Sequence, residues 1–253
     1  MINIIIPMAG GNQPADSSEN YFPGPLIEIG GKPLIELIIN NLSAIKEETK
    51  FIFIVKEEDC DKFYLDNTIR LLSENCEIIK LRKPTQGAVC SCLMAIESVN
   101  NDDHLLIANG NQIIDVDYNE VLEYFNKNNC EAGVITFESV HPKWSYVRLD
   151  KNDNVVETAE KKPISKNAIA GFYYFNKGSG FVNAAFKMIL NDRKVNGLYF
   201  IAPTFNDLIL ENKKIGVFKI KSECYHSFYT TKKINEFENE SYFKTITRKA
   251  DED

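Results

Sequence analysis

Positive charge and histidine are scarce in this sequence of 253 residues. Lysines and arginines number 29 against 36 aspartates and glutamates, which leaves a formal net charge of −7. Because proteins that bind nucleic acid usually carry a basic face, we expect no nucleic-acid partner. The three histidines, His104, His141 and His226, are far apart along the chain and suggest no metal cluster. A nucleotide ligand stays compatible with this composition, because a few local donors are enough to hold one.

Long apolar runs are absent as well. No run approaches the roughly 20 residues that a helix needs to cross a bilayer, so we expect no membrane partner. The apolar run at residues 2–7 has no basic flank and no cleavage site, and we interpret it as a strand rather than a signal peptide. The six cysteines form no CxxC pair, and Cys90 and Cys92 are too close for the usual structural zinc spacing. We therefore expect free thiols and a cytoplasmic protein.

Strand and helix patterns alternate through the first half of the chain. Apolar strand runs lie at residues 2–7, 51–55, 76–80 and 103–108, and helical periods lie at residues 34–45, 57–73, 88–99 and 118–126. Continuous apolar runs of this length are typical of strands buried on both faces. With short connections, this alternation predicts a parallel sheet with right-handed crossovers. Asp59 is the predicted N-cap of the second helix.

The pattern changes after about residue 131. Strand-like runs lie at residues 132–137, 145–149, 155–159, 168–175 and 215–220, and helical runs at residues 181–190 and 203–210. Four of these strands follow one another without a long helix, which predicts a mixed or antiparallel extension of the sheet. We expect one domain over residues 1–240, with a nucleotide-binding half at about 1–130, an acceptor-binding half at about 131–230, and a polar tail at 241–253.

Three glycine-containing loops follow predicted parallel strands, at residues 8–31, 84–88 and 109–115. In an open parallel sheet the carboxyl ends of the strands form the ligand crevice. Glycines let backbone amides approach a ligand closely. A tight turn would explain any one of these loops, but their coincidence predicts a nucleotide or another phosphorylated ligand at this edge of the sheet.

Several short motifs occur in a fixed order along the chain. They are PMAG at residues 7–10, FPGPLIEIGGKP at 22–33, TQGA at 85–88, the strand and turn at 105–112, HPKWSY at 141–146, EKKP at 160–163 and GFYYF at 171–175. This order resembles the sugar-phosphate nucleotidylyltransferase family, most of all its short members associated with capsular and surface polysaccharide genes. The likeness extends over most of the chain, to about residue 220.

The resemblance implies an α/β fold of the Rossmann-like GT-A type, a three-layer α/β/α arrangement with a mixed, mainly parallel central sheet and a small antiparallel extension. It implies transfer of a nucleotidyl group from a nucleoside triphosphate to a phosphorylated sugar or similar metabolite, with release of pyrophosphate. Mg²⁺, an arginine in the first loop and a lysine in the family's PKP segment would neutralise the phosphate charges. A homo-oligomer is compatible with the resemblance.

The same resemblance places the ligands on named residues. The nucleotide is expected at Met8, Ala9, Gly10, Gly11, Thr85, Gln86, Gly87, Asn109 and Gly110, and the acceptor at Trp144, Tyr146, Glu160, Lys161 and Gly171. The catalytic positions are Gly24, Lys32 and Asn111, and Asn111 is also the metal position. Trp144 is equally well explained as a core or domain-edge aromatic, and Glu160 and Lys161 as an exposed strand end.

Charged groups are missing where the family's reaction needs them. The loop arginine, the PKP lysine and the metal aspartate are matched by Pro14, Gly24 and Asn111. The family's C-terminal motif with its aspartate is replaced by residues 224–231, which contain no aspartate. Mg²⁺ prefers carboxylate oxygens, and an amide is a weaker ligand. Each lost electrostatic donor typically costs about a hundred- to a thousandfold in rate, so we expect strongly reduced catalysis.

Two functions therefore stay open. One is a nucleotidyltransferase of surface polysaccharide or nucleotide-sugar metabolism with reduced, Mg²⁺-dependent activity; the other is a catalytically inactive member that binds a nucleotide or sugar. Asp16, Lys32, Asp115 and Asp117 are near enough in sequence to be considered as replacements. Turn formation and helix capping are the other explanation for the last two. No lysine or arginine lies in residues 8–31, so the loop expected to surround a triphosphate lacks a side-chain cation.

Overall fold

The computed structural model describes residues 1–10 and 22–239 of the chain. Gly11, Pro14, Asp16 and the predicted tail at 241–253 lie outside the described residues. The strands are β1 (Ile2–Pro7), β2 (Glu28–Ile29), β3 (Lys32–Pro33), β4 (Thr49–Lys56), β5 (Cys76–Leu81), β6 (His104–Ala108), β7 (Gln112–Ile114), β8 (Ala132–Glu138), β9 (Ser145–Leu149), β10 (Val155–Glu160), β11 (Asn167–Phe175), β12 (Ile215–Lys219) and β13 (Tyr225–Ser227). The helices are α1 (Leu34–Leu42), α2 (Glu57–Phe63), α3 (Leu65–Leu72), α4 (Ala88–Cys92), α5 (Ile96–Val99), α6 (Tyr118–Lys127), α7 (Gly178–Leu190), α8 (Phe205–Leu210) and α9 (Thr231–Glu238).

The central sheet is mixed and mainly parallel. Strands β5, β4, β1 and β6 are adjacent in that order and parallel to one another. The long strand β11 runs antiparallel to β6, and β8 and then β12 continue the sheet beyond it. Strands β9 and β10 form an antiparallel branch on the first residues of β11. The predicted parallel sheet with an antiparallel extension is confirmed.

Apolar side chains cover both faces of this sheet. In β1, Ile4 and Ile6 belong to the cluster on one face, and Ile5 belongs to the cluster on the other. Helices α1, α3 and α6 contribute to the first cluster, and helices α4, α7 and α8 contribute to the second. Each fully buried isoleucine of this kind contributes about 1.5–3 kcal/mol through the hydrophobic effect. The result is the predicted three-layer α/β/α arrangement.

The helix predicted over residues 57–73 is two helices. Tyr64 adopts a left-handed conformation with φ of 55°, and this residue separates α2 from α3. The break changes the direction of the chain so that Leu65 and Ile69 of α3 are both fully buried. The predicted cap at Asp59 is wrong, because Lys56 holds the N-cap position and Asp59 lies in the first turn of α2.

The helix predicted over residues 88–99 is also interrupted. A 3₁₀ turn, Leu93–Ala95, separates α4 from α5. The buried residues Val89, Cys92 and Ala95 recur every three positions, a spacing that suits three residues per turn better than 3.6. Among the described residues, no helix combines the length and apolar character needed to span a bilayer.

Candidate functional site

The loops that follow β1 and β6 pack directly on each other. The N–H of Met8 donates to the carbonyl of Ile54 at 2.8 Å, which holds the end of β1 against β4. Gly110 lies so close to this segment that a Cβ atom there would be 2.6 Å from Cγ of Met8. Residues predicted for nucleotide binding on separate loops therefore share one surface at the carboxyl ends of the strands.

The loop after β5 is held by the backbone of Tyr199. Gly87 has a φ of 115°, and a Cβ atom there would be 2.4 Å from the Tyr199 carbonyl oxygen. The N–H of Tyr199 donates to Gln86 at 2.8 Å, and its carbonyl accepts from Val89 at 3.1 Å. The Thr85 hydroxyl donates to the Gly87 carbonyl at 3.0 Å. The TQG turn is thus held by hydrogen bonds, and Tyr199, which no local sequence pattern singled out, positions it.

A second close contact joins the nucleotide side to the acceptor side. Gly171 has a φ of 62°, and its carbonyl accepts the Asn109 N–H at 3.0 Å. A Cβ atom on Gly171 would be 2.3 Å from Nδ2 of Asn109 and 2.4 Å from Oε1 of Gln112. The Gln112 side chain in turn donates to the carbonyl of Ala170 and accepts from the Tyr225 hydroxyl at 3.0 Å. Gln112 is a positioning residue that the motif comparison did not single out.

Asn111 lies beside the segment that replaces the family's C-terminal motif. Strand β13 pairs antiparallel with β7, which places Ser227 opposite Gln112. The Asn111 carbonyl accepts the N–H of Phe228 at 2.9 Å. The Asn111 residue is only 8% exposed, and its Nδ2 has no partner in hydrogen-bonding geometry among the described residues. A buried donor left unsatisfied costs about 1–3 kcal/mol.

An aromatic cluster borders Asn111 on the acceptor side. Tyr229 lies next to the Asn111 amide; burial raises the pKa of Tyr229, and this amide partly opposes the rise. The Trp144 ring is 6.0 Å from the Tyr229 ring and 5.5 Å, edge-on, from Phe137. The Lys143 ammonium lies 4.3 Å from the centre of the Trp144 ring. Trp144 therefore packs on a core aromatic, and its role in binding an acceptor stays a prediction.

The other predicted acceptor residues are placed as follows. Glu160 is partly buried and accepts a hydrogen bond from the Ser145 hydroxyl. Burial raises the pKa of Glu160, while Ser145 and then Lys161 oppose that rise. The Lys161 ammonium lies 4.6 Å from the centre of the Phe200 ring. Tyr146 is fully buried and its hydroxyl donates to a backbone carbonyl at 2.6 Å, an arrangement that holds the HPKWSY segment rather than presenting the hydroxyl to a ligand.

Gly24 and Lys32 supply no unpaired positive charge. Gly24 begins a 3₁₀ turn, Gly24–Leu26, and has no side chain to contribute. Lys32 lies in the hairpin formed by β2 and β3, where its ammonium is 3.4 Å from the Glu36 carboxylate. The same hairpin contacts α9, because the Gly30 N–H donates to Glu238 at 2.7 Å.

The aspartates considered as replacements have other surroundings. The Asp117 carboxylate accepts the Asn119 N–H at 2.8 Å and caps α6, so the predicted capping role is confirmed. Asp115 is exposed, and its N–H donates to the carbonyl of Cys224 at 2.8 Å. Neither residue has a contact with Asn111 that would restore a carboxylate to the metal position.

Comparison with known proteins identifies the family. Residues 20–213 match the family model described as nucleotidyl transferase, which is more than half of the chain. The chain belongs to this family. The resemblance to sugar-phosphate nucleotidylyltransferases is thereby confirmed, and its association with capsule genes stays a prediction.

Relatives of this nucleotidyl transferase chain include the bifunctional protein GlmU of Methanocaldococcus jannaschii, 27% identical over 223 residues, 79% of this chain and 51% of the relative. The bifunctional protein GlmU of Methanococcus aeolicus is 25% identical over 200 residues, 77% of this chain and 44% of the relative. The chain spans about half the length of these curated relatives. A nucleoside-diphosphate-sugar pyrophosphorylase from Vibrio cholerae RC9 has the same fold, with a TM-score of 0.80, 21% identity, and coverage of 94% of this chain and 100% of that one.

Membership of the nucleotidyl transferase family implies Mg²⁺, which binds best to carboxylate oxygens. Within residues 1–10 and 22–239, no group of three or more histidine, cysteine, aspartate or glutamate side chains is placed to hold a metal ion. At the metal position, the unpartnered atom of Asn111 is an amide nitrogen, which donates hydrogen bonds and offers no lone pair to a cation. The neighbouring Ser227 is not a carboxylate either. Among the described residues, the predicted metal position thus offers an amide and no carboxylate, a donor set that does not fit Mg²⁺.

Proposed function

We propose that this protein binds the reactants of its family, a nucleoside triphosphate and a phosphorylated sugar or similar metabolite, and transfers the nucleotidyl group with strongly reduced activity. The observation that supports this proposal is the direct packing of the two sides of the site. Gly110 contacts Met8 on the nucleotide side, and Gly171 bonds to Asn109 from the acceptor side. Such packing fixes the relative position of two ligands, which is a major source of catalysis.

In the proposed reaction a phosphate oxygen of the acceptor attacks the α-phosphorus of the nucleoside triphosphate. The bond from the α-phosphorus to the bridging oxygen breaks, and pyrophosphate leaves with the electron pair. The glycine-rich loops at Gly10, Gly87 and Gly110 would offer backbone N–H groups to the phosphates. Gly24 and Asn111 supply no charge at the positions where the family has a cation and a carboxylate, so the expected rate is low.

The second candidate function is ligand binding without transfer. The observation that favours it is the buried, uncharged amide of Asn111 together with the absence of a metal-binding group among the described residues. A protein of this kind would act as a sensor or carrier of a nucleotide or sugar. A role in surface polysaccharide assembly, a cytoplasmic location and self-association stay predictions from the sequence.

The two functions differ in a direct assay. The protein is incubated with MgCl₂, each of ATP, CTP, GTP, UTP and dTTP, and each of glucose, mannose and N-acetylglucosamine 1-phosphate. Release of pyrophosphate above a protein-free blank supports transfer. Stabilisation by these ligands in a thermal unfolding assay, with no pyrophosphate from any mixture, would reject transfer and favour binding alone.

A restoration experiment tests whether the lost charges limit the rate. The triple variant Asn111→Asp, Gly24→Lys and Pro14→Arg replaces the missing carboxylate and cations, and we expect pyrophosphate release to rise by at least about a hundredfold. Ser227→Asp added to this variant places a second carboxylate next to position 111 across the β7–β13 pair. The matched control is Asp115→Asn, which should leave the rate unchanged. No gain in either combination would mean that other parts of the site are also altered.

A further inference from the structure

The side chain of Asn111 offers hydrogen-bond donors where the family has a metal-binding carboxylate. Its Nδ2 atom is enclosed by protein and has no hydrogen-bond partner among the residues that the structure describes. An amide nitrogen donates and does not coordinate cations, so its natural partner is an oxygen atom with free lone pairs. Because the atom has almost no accessible surface and lies beside Tyr229, the Asn111 side chain must turn towards a ligand oxygen before it can donate to it.

A positive charge lies on the same side of the site. Tyr229 lies against the Asn111 amide. The Lys143 ammonium is 5.8 Å from the centre of the Tyr229 ring and 4.3 Å from that of Trp144. These ring faces attract the ammonium and fix its position without neutralising its charge. Lys143 forms no salt bridge with another described residue, so its charge is available to an anion.

The other charged groups around this cluster are compatible with an anion. Glu160 is a described carboxylate on this side, and burial raises its pKa, which weakens its preference for the charged form. Lys161 follows it in the chain and opposes that effect with its own positive charge. Burial, and then the charge of Lys233, lowers the pKa of Lys143, and Lys233 itself is paired with Glu236 at 2.6 Å. Among the described residues named here, three ammonium groups stand against two carboxylates.

On the basis of the proposed function, we infer that Asn111, Tyr229 and Lys143 bind a phosphate group of the ligand directly, with no metal ion between protein and phosphate. The amide and the phenol donate to phosphate oxygens, and the ammonium supplies the charge. This assigns to the site a phosphate-bearing ligand whose affinity is independent of Mg²⁺. Direct phosphate binding would also explain why the uncharged Asn111 occurs together with Lys143, which lies over two aromatic rings.

Isothermal titration calorimetry tests the inference. ATP, CTP, GTP, UTP, dTTP, and glucose, mannose and N-acetylglucosamine 1-phosphate are titrated into the full chain in excess EDTA and again in millimolar MgCl₂. We expect the Kd of a probe that binds to agree within about twofold between the two buffers. Lys143→Met should weaken binding about tenfold or more, and Lys143→Arg should retain most of it.

Asn111→Asp is the opposing variant. A carboxylate at this position repels a phosphate, so affinity in EDTA should fall about tenfold or more, and MgCl₂ should restore part of it. Lys127→Met is the matched control, because Lys127 lies on α6 and pairs with Glu123. Thermal unfolding of each variant verifies that it is folded.

The outcomes separate the two proposals. If a probe binds only in MgCl₂, or if its affinity in EDTA is the same in Asn111→Asp, Lys143→Met and the unaltered protein, the inference is overturned while the proposed function stands. If no probe binds in either buffer, the proposed function fails and the inference fails with it.

Discussion

At the scale of single residues, Gly87 is a position that cannot take a side chain without strain. Its φ of 115° is one that residues with a Cβ rarely adopt, and a Cβ atom would be 2.4 Å and 2.6 Å from the backbone oxygen and nitrogen of Tyr199. Neither backbone atom can move without breaking the hydrogen bonds that Tyr199 makes to Gln86 and Val89. The loop after β5 therefore depends on this one glycine.

We predict that Gly87→Ala lowers the free energy of unfolding by more than about 1–3 kcal/mol. That range is the usual cost of strained backbone, and the clash between the new Cβ atom and Tyr199 adds to it. Urea unfolding measures the effect. Gly31→Ala is the matched control, since Gly31 also has a positive φ, 80°, but a Cβ atom there would meet nothing within 4 Å. Equal losses in both variants would show that the contact with Tyr199 is unimportant.

Asn111 is predicted to change the chemistry of the loop after β6. Its backbone is held by a hydrogen bond in which the Asn111 carbonyl accepts the Phe228 N–H at 2.9 Å. Only the side chain differs from the family's aspartate, and exchanging a carboxylate for an amide converts an acceptor site into one that also donates. The predicted site for two ligands is therefore expected to have a much lower affinity for metal.

At the scale of secondary-structure elements, α6 has a defined start next to the candidate site. The Asp117 carboxylate accepts the Asn119 N–H at 2.8 Å and interacts favourably with the positive end of the helix dipole. Asp115, two residues earlier, is exposed and does not cap α6. The two aspartates, similar in sequence context, are thus distinguished by one hydrogen bond.

We predict that Asp117→Ala lowers the free energy of unfolding by about 1 kcal/mol through loss of the cap, while Asp115→Ala changes it by less than about 0.5 kcal/mol. Chemical denaturation monitored by circular dichroism gives both values. The reverse order would contradict the assignment of Asp117 as the cap. A large effect of Asp115→Ala on ligand binding, with stability unchanged, would revive its role as a replacement carboxylate.

At the scale of the whole molecule, stability should depend on pH through His226. This residue of β13 is 7% exposed and packs against Phe237 of α9, with ring centres 4.9 Å apart. Burial, and then the charge of Lys233, lowers the pKa of His226 to about 4. The unfolded chain takes up this proton near pH 6.5, whereas the folded protein takes it up only near pH 4.

Between these pH values the unfolded state binds more protons, so the free energy of unfolding decreases as the pH falls from about 6.5 towards 4. From pH 7 to pH 5 this residue should cost about 2 kcal/mol. We predict that His226→Gln removes that part of the pH dependence, whereas His141→Gln, at an exposed position, leaves it unchanged. Parallel pH profiles for the protein and His226→Gln would contradict the assignment.

Much of the fold follows from local patterns. Runs such as residues 51–55 are apolar on both faces, and this property alone is enough to predict central strands of a parallel sheet. The helix breaks were not predicted, because a left-handed residue at Tyr64 and a 3₁₀ turn at Leu93–Ala95 arise from how each segment meets the sheet. Local periodicity does not include that constraint.

The candidate site, like the fold, could be predicted from the sequence only in part. The loops carrying Gly10, Gly87 and Asn109 were predicted from their order along the chain, since the carboxyl ends of parallel strands share one edge. Three contacts could not be predicted in this way: the hydrogen bonds of Tyr199, the bond from Tyr225 to Gln112, and the position of Lys143 over Tyr229. Each contact joins segments that are far apart in sequence; Tyr225 and Gln112, for example, are separated by 113 positions. Family membership follows from the residues alone, as does the prediction of lost charge, whereas the surroundings of Asn111 exist only where the folded chain brings β13 beside β7.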